Sequence, residues 1–317
     1  MKFMMCKKWF LFPGAFMFVL PTMALADAPG GHGHSKGHFN VETNIDIEYF
    51  GIGDAKSKTA NTQVGASGMR IEMESENEKS NMNYSLALER WNYSWTNPEN
   101  LPFFSGASGV PWSTFNTIQL GIGYEQEFSE KWEFGYYLEA ESSYEKEMSG
   151  SNEYELGVDF NYEHSDAWSY TINVNLEYLD ASSAELGLDL EIEWNHDKKD
   201  GWSGEFEISS EFPETSLTYH YTRNFSTSMF YGEGGTNTIR LSDSNPVPGM
   251  QAGYLEDEYM TLGVRVDYEF AYDSYWAFIL QQNSNRTLSF SNSNGVEGPS
   301  YALGNSTEVA VKFTYTF

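Results

Sequence analysis

Apolar and polar residues alternate through most of this chain, most regularly in its last ten residues. Val309, Val311, Phe313, Tyr315 and Phe317 share one parity, and Glu308, Ala310, Lys312, Thr314 and Thr316 share the other. A period of two carried by β-branched and aromatic residues predicts a strand with one apolar and one wet face. The same pattern predicts strands at roughly 39–50, 64–75, 82–95, 115–127, 133–145, 153–164, 168–179, 185–194, 202–211, 216–224, 258–271, 275–290 and 306–317. Between several of them a short polar turn, acidic in the middle, closes on a tryptophan: Phe128–Trp132, His164–Trp168, Lys199–Trp202 and Tyr272–Trp276. If the apolar parity meets lipid, these are the short turns of one membrane face, marked by interfacial tryptophans.

Direction then constrains strand number. Thirteen strands would leave 225–257 beginning and ending on the same side. A weaker strand at about 229–241, with Met229, Tyr231, Ile239 and Leu241 on one face, resolves the conflict. The fold expected is all-β: a transmembrane up-and-down antiparallel β-barrel of 14 strands over residues 39–317, with 12 as the fallback. Loops on the far side fall at about 51–63, 96–114, 146–152, 180–184, 212–215, 242–257 and 291–305. The loop at 96–114 is the longest and is apolar, with Leu101, Phe103, Phe104, Val110 and Trp112. It reads as a segment packed on its neighbours, or as a constriction at a pore mouth.

With the apolar parity outward, the other parity is carboxylate-rich. Strand 153–164 puts Tyr154, Leu156, Val158, Phe160 and Tyr162 out, and Glu155, Asp159 and Glu163 in. The pore-lining residues expected are Asp46, Glu48, Arg70, Glu72, Glu125, Glu127, Glu139, Glu155, Asp159, Asp189, Glu191, Glu205, Glu207, Arg265, Asp267, Glu269 and Lys312. So many charges could not share a dry core, because each unpaired buried charge costs several kcal/mol. Eight strands enclose little beyond side chains and sixteen to eighteen an open channel, so fourteen predicts an aqueous passage.

The N-terminus agrees with export. Lys2, Lys7 and Lys8 precede an apolar stretch from Trp9 to Met23, and Ala24-Leu25-Ala26 has the form of a cleavage site. Residues 1–26 read as a signal peptide too short for a helical span. Cys6, the one cysteine, leaves with it. Cleavage leaves fifteen Lys and Arg against 46 Asp and Glu, a net charge of about −31. That balance excludes nucleic acid as a partner. Residues 27–38 read as a Gly/His-rich flexible periplasmic lead. His32, His34 and His38 are a weak candidate for a divalent metal, with no carboxylate or cysteine fixed beside them.

The closing strand, with Phe313, Tyr315 and the terminal Phe317, resembles the C-terminal signal read by the barrel-assembly machinery. The chain as a whole resembles bacterial outer-membrane β-barrel porins, in particular the monomeric 14-stranded porin G family, and more loosely the oligogalacturonate-specific porins. The resemblance is one of architecture, carried by polar turns closing on tryptophan and by the aromatic end. It implies an outer-membrane channel for passive diffusion of small hydrophilic solutes, with no cofactor and acting as a monomer. The acidic lumen adds a preference for cations, with neutral sugars tolerated. An adhesive barrel acting through its loops is an alternative. A barrel hydrolase is a further one, with His220 its only histidine well inside a strand, and the expectation is that the chain is not an enzyme.

Overall fold

A computed structural model describes residues 41–77, 79–104, 107–179, 184–195, 198–209 and 213–317. The expected signal peptide and the lead with His32, His34 and His38 lie outside the described residues. The first strands are β1 (Val41–Lys56), β2 (Gln63–Asn77), β3 (Met82–Thr96), β4 (Thr114–Ser129) and β5 (Trp132–Tyr144). They are followed by β6 (Asn152–Ser165), β7 (Trp168–Leu179), β8 (Glu185–Trp194), β9 (Gly201–Ile208) and β10 (Pro213–Thr222). The chain finishes with β11 (Phe225–Arg240), β12 (Tyr254–Ala271), β13 (Ser274–Ser291), β14 (Glu297–Ala302) and β15 (Ser306–Thr316).

Each strand from β1 to β13 pairs antiparallel with its neighbour in sequence, and β15 joins β13 to β1. Fourteen strands thus close a ring, and closure removes the exposed edges that an open sheet would present. The closing pair runs from Asn44↔Thr316 to Ile52↔Glu308. The weak strand expected at 229–241 is β11, a full member of the ring. β14 was not anticipated: it lies in the expected loop 291–305, folded back on the far end of β13.

Trp132, Trp168, Trp202 and Trp276 all sit at or within two residues of a strand start at one end, the turn end, and all are exposed. The opposite end carries the longer connections and is the loop end. The outward residues of β7, Trp168 to Tyr178, span eleven positions. At ~3.3 Å per residue and a tilt of about 40° they make an apolar belt about 25 Å tall, the height a bilayer requires.

Above that belt the alternation reverses. On β3, Tyr84 and Leu88 point out while Ser85 and Glu89 point in; farther along, Trp91 and Tyr93 are buried inside and Arg90, Asn92 and Ser94 are exposed outside. β1 changes in the same way, from inward Asp46 and Glu48 to inward Phe50 and Ile52. β13 does so through a bulge near Asn285, which leaves Arg286, Leu288 and Phe290 inside. The belt faces oil, so its inner parity is wet. Beyond the belt the outside is water, and apolar residues gain by facing inward.

The reversed segments belong to long strands only, and they form a second, smaller enclosure termed the turret. β10 pairs with β11 no farther than Thr215↔Tyr231, but β11 continues to Arg240. There it meets β5, six places round the ring, in a parallel bridge Arg240↔Tyr144. This contact closes β1–β5, β11–β13 and β15 into a nine-stranded ring above the fourteen-stranded one. Gly234 and Gly235 permit the departure, since a Cβ there would lie 2.5 Å from the Tyr259 ring and 2.4 Å from the Asp257 carbonyl.

Twenty buried apolar residues fill the turret. They include Phe103, Phe104 and Trp112 from the loop after β3, and Leu241 and Val247 from the loop after β11. Phe103 contacts Phe290 and Tyr301, and Trp112 packs edge-on against Trp95. The apolar loop seen in the sequence is therefore packed, together with the segment 241–253, in the mouth of the turret. Within this core sits one ion pair, Arg286 with Asp257, both side chains 1% exposed, the guanidinium lying over the Tyr259 ring.

Two expectations follow. Leu188→Arg, at an outward belt position 60% exposed, should lower the unfolding free energy in vesicles by about 2–4 kcal/mol. Asn92→Arg, outward but above the belt, should change it by less than about 0.5 kcal/mol; equal effects would contradict the belt boundary. Asp257→Ala should cost about 3–5 kcal/mol by stranding Arg286, whereas Asp257→Leu combined with Arg286→Met should recover most of the loss. Denaturant titrations of all five proteins, wild type included, give both comparisons.

Candidate functional site

The inner parity below the turret brings carboxylates side by side. Glu139, Glu155, Glu177 and Glu185 are direct cross-strand partners over β5, β6, β7 and β8. Glu191, Glu207 and Glu214 form a second row over β8, β9 and β10, and Glu193 faces Glu205. Opposed partners in a sheet sit about 4.5–5.5 Å apart, and like charges there are destabilising. Such rows are tolerable only where water and counterions reach them.

Hydrogen bonds along the wall hold these side chains in place. Tyr137 donates its hydroxyl to Glu155 at 2.6 Å, and Asn175 donates to the same oxygen at 2.9 Å. Asn173 bridges Asp159 at 2.6 Å and the Tyr137 oxygen at 3.2 Å. Asp189 lies opposite Asn173. Glu125 accepts from Asn83 at 2.8 Å, and Glu127 faces Glu133 near the turn end.

The bases are gathered on the other side of the ring. Lys312 reaches Asp46 at 2.5 Å, and Arg70 bonds Glu72 at 3.2 Å and Gln119 at 3.3 Å. Glu48 lies between them, opposite both Lys312 and Arg70. Arg265 pairs with Asp267 at 2.8 Å and covers the Tyr275 ring, with Glu269 next on the same face. The expected site residues thus divide into a mixed-charge arc on β12, β15, β1 and β2 and an acidic arc on β4 to β10.

Above the acidic arc the wall is low, because β8, β9 and β10 have only 10, 8 and 10 residues. The turret stands back from it, leaving a bay of about 810 Å³. Its floor and outer wall carry Glu153, Glu177, Glu185, Glu207 and Glu214; the turret side carries Glu233, Glu256 and Glu258. No lysine or arginine is among the residues that line it. A further space of about 320 Å³ shares Glu214, Glu233 and Gly234 with the bay. It also touches Glu205, Ser216, Thr261 and Gln281, below the turret floor. At the turn end, a space of about 450 Å³ is lined by Glu76, Glu125, Glu127 and Glu133.

The sequence reading leaves out Glu153, Glu214, Glu233, Glu256 and Glu258. The last three occupy outward positions of β11 and β12, as their partners Met260, Thr238 and Gly235 help define. In a simple barrel those positions would meet lipid or bulk water. The local sign was Gly232-Glu-Gly-Gly235, a glycine-rich break in a strand that outlasts its neighbour β10.

His220 approaches Ser203 at 3.0 Å, but both lie on the inner face of β9 and β10, not on the lipid face a barrel lipase would use. Among the described residues no group of three His, Cys, Asp or Glu is arranged to hold a metal ion.

The class this architecture defines is the outer-membrane β-barrel of channel-like form: fourteen strands, an apolar belt and a polar interior. No protein-family model matches the sequence, and no curated protein is similar to it. Solved structures share the fold. The deltaS2 mutant of the TodX monoaromatic hydrocarbon channel aligns with TM-score 0.50 at 10% identity, over 87% of this chain and 90% of that one. The deltaS2S3 mutant of the same channel gives 0.50 at 9% identity, over 89% and 91%. The KdgM porin in complex with disordered oligogalacturonate gives 0.36 at 9%, over 85% and 99%. At these identities the likeness to the two TodX structures is one of fold alone.

Proposed function

We propose that the chain is an outer-membrane porin, a water-filled channel for passive diffusion of small hydrophilic solutes that prefers cations and tolerates neutral sugars. The observation that carries this reading is the pair of glutamate rows on the inner parity of β5 to β10. A belt that faces lipid and an interior that must stay wet leave water as the medium within the ring. Anionic walls in a narrow aqueous passage concentrate cations and repel anions.

In this reading the pore-lining set is the one expected from parity, with Glu139, Glu155, Asp159, Asp189, Glu191, Glu205 and Glu207 setting the sign. Arg70, Arg265 and Lys312 serve to neutralise the opposite arc. Anionic oligosaccharides fit poorly, because they call for a track of bases and the bases here are held by Glu72, Asp267 and Asp46. We further assign residues 1–26 to a cleaved signal peptide and Phe313, Tyr315 and Phe317 to recognition by the barrel-assembly machinery. The porin G type of channel, a monomer, is the functional analogue we propose.

Reconstituted in a planar bilayer under a salt gradient, the protein should give a reversal potential of cation sign. The preference should shrink toward 1 M salt, where the Debye length falls to about 3 Å. A reversal potential of anion sign would contradict the charge argument.

A further inference from the structure

We infer that solutes pass the loop end through the side bay between the turret and the low wall of β6 to β10, and that the turret itself is a permanent seal. This inference rests on the porin reading and specifies its inlet. The barrel axis, the route that a simple fourteen-stranded ring would offer, is blocked at that end by the turret core.

Energetic comparison separates a seal from a gate. The seam that closes the turret is slight in backbone terms, with one bridge between Arg240 and Tyr144. Side chains reinforce it: Glu145 accepts from the Ser242 amide at 2.9 Å and from Asn245 at 2.7 Å, and Arg240 pairs with Asp243. Asn245 also donates to the Pro111 carbonyl, tying the segment 241–253 to the loop after β3. Each such hydrogen bond contributes only about 0.5–1.5 kcal/mol net. The core behind it is larger. Trp112, Phe104, Leu241, Val247, Leu255 and Leu288 are all at most 1% exposed, and each large side chain so buried contributes about 1.5–3 kcal/mol. Opening the axis would wet this whole cluster, a cost far beyond thermal energy. The apolar loop is therefore a stopper.

The bay offers what the axis lacks. It is polar along its lining, it shares Glu214, Glu233 and Gly234 with the space beneath the turret, and that space reaches Thr261 and Gln281 on the inner faces of β12 and β13. Glu214 stands at the junction, its carboxylate accepting the Glu233 amide at 3.3 Å where β11 leaves β10. Hydrated cations and small neutral polyols are the solutes such a passage suits.

The test is cysteine blocking in the conducting protein. Cys6 is the only native cysteine and belongs to the expected signal peptide, so an introduced thiol is unique in the processed chain. Thr238→Cys places it in the bay and Val110→Cys places it on the exposed loop over the turret. Both are treated with a bulky trimethylammonium thiosulfonate, with modification verified by mass. The current through Thr238→Cys should fall by about half or more, and its cation preference should weaken, because the adduct brings bulk and positive charge into the path. Val110→Cys should be unchanged. Should Thr238→Cys fail to fold, Leu179→Cys on the opposite wall of the bay replaces it. A verified bay adduct with undiminished current overturns the inference, as does equal block from Val110→Cys, and both results leave the porin reading standing. Absence of current in the unmodified wild type overturns the two together.

Discussion

Repulsion between carboxylates that face one another across neighbouring strands is the constraint on which the rest of this structure depends. Glu139, Glu155, Glu177 and Glu185 occupy a single row, and Glu191, Glu207 and Glu214 another. Each opposed pair costs a few tenths of a kcal/mol to about 1 kcal/mol even when solvated, and far more if dried. A sheet with these rows on one face and Leu156, Leu176 and Leu186 on the other cannot pack against a second layer. Closing on itself, with lipid outside and water within, satisfies both faces at once.

That partition has a definite height, and the strands encode where it stops. Within the belt the inner residue is polar and the outer apolar; above it both assignments reverse on β1, β3 and β13. On β13 the reversal comes through the bulge near Asn285, but on β1 and β3 it takes no special motif. On β3 it requires only that Leu88 be followed, across one parity change, by Trp91 and Tyr93. The consequence is large, since strands that reverse build an ordinary water-surrounded core on top of a membrane barrel. β6 to β10 contribute nothing to that core, and the shortness of β8, β9 and β10 creates the bay.

The sequence made the lower barrel legible because its signal is local: period two, tryptophan after a polar turn, and a direction count that demanded a strand at 229–241. The same reasoning placed Glu155 and Asp159 on the inner parity together. It could not find the turret, because the bridge from Arg240 to Tyr144 joins residues far apart in the chain and leaves no periodic trace. Nor could it assign Glu233, Glu256 and Glu258, whose outward parity means lipid or bulk water in a simple barrel and the bay in this one. The apolar segment Leu101 to Trp112 was visible, yet its partners Leu241, Val247 and Phe290 come from other loops and strands, so packing and gating looked alike.

The placement of the few bases follows from the same division. Arg70, Arg265 and Lys312 lie beside Glu72, Asp267 and Asp46 on the arc beneath the turret. There a packed core stands immediately above, and unneutralised charge would be held near a medium of low polarity. Arg286 carries that logic into the core, where it is tolerated only because Asp257 meets it with two hydrogen bonds. On the bay side no apolar core of the described residues stands above the carboxylates, and water and counterions can reach them. The asymmetry of charge round the ring is therefore the electrostatic counterpart of the asymmetry of wall height: the bases stand where the roof is apolar, and the carboxylate rows run on along β6 to β10, over which the described residues build no such roof.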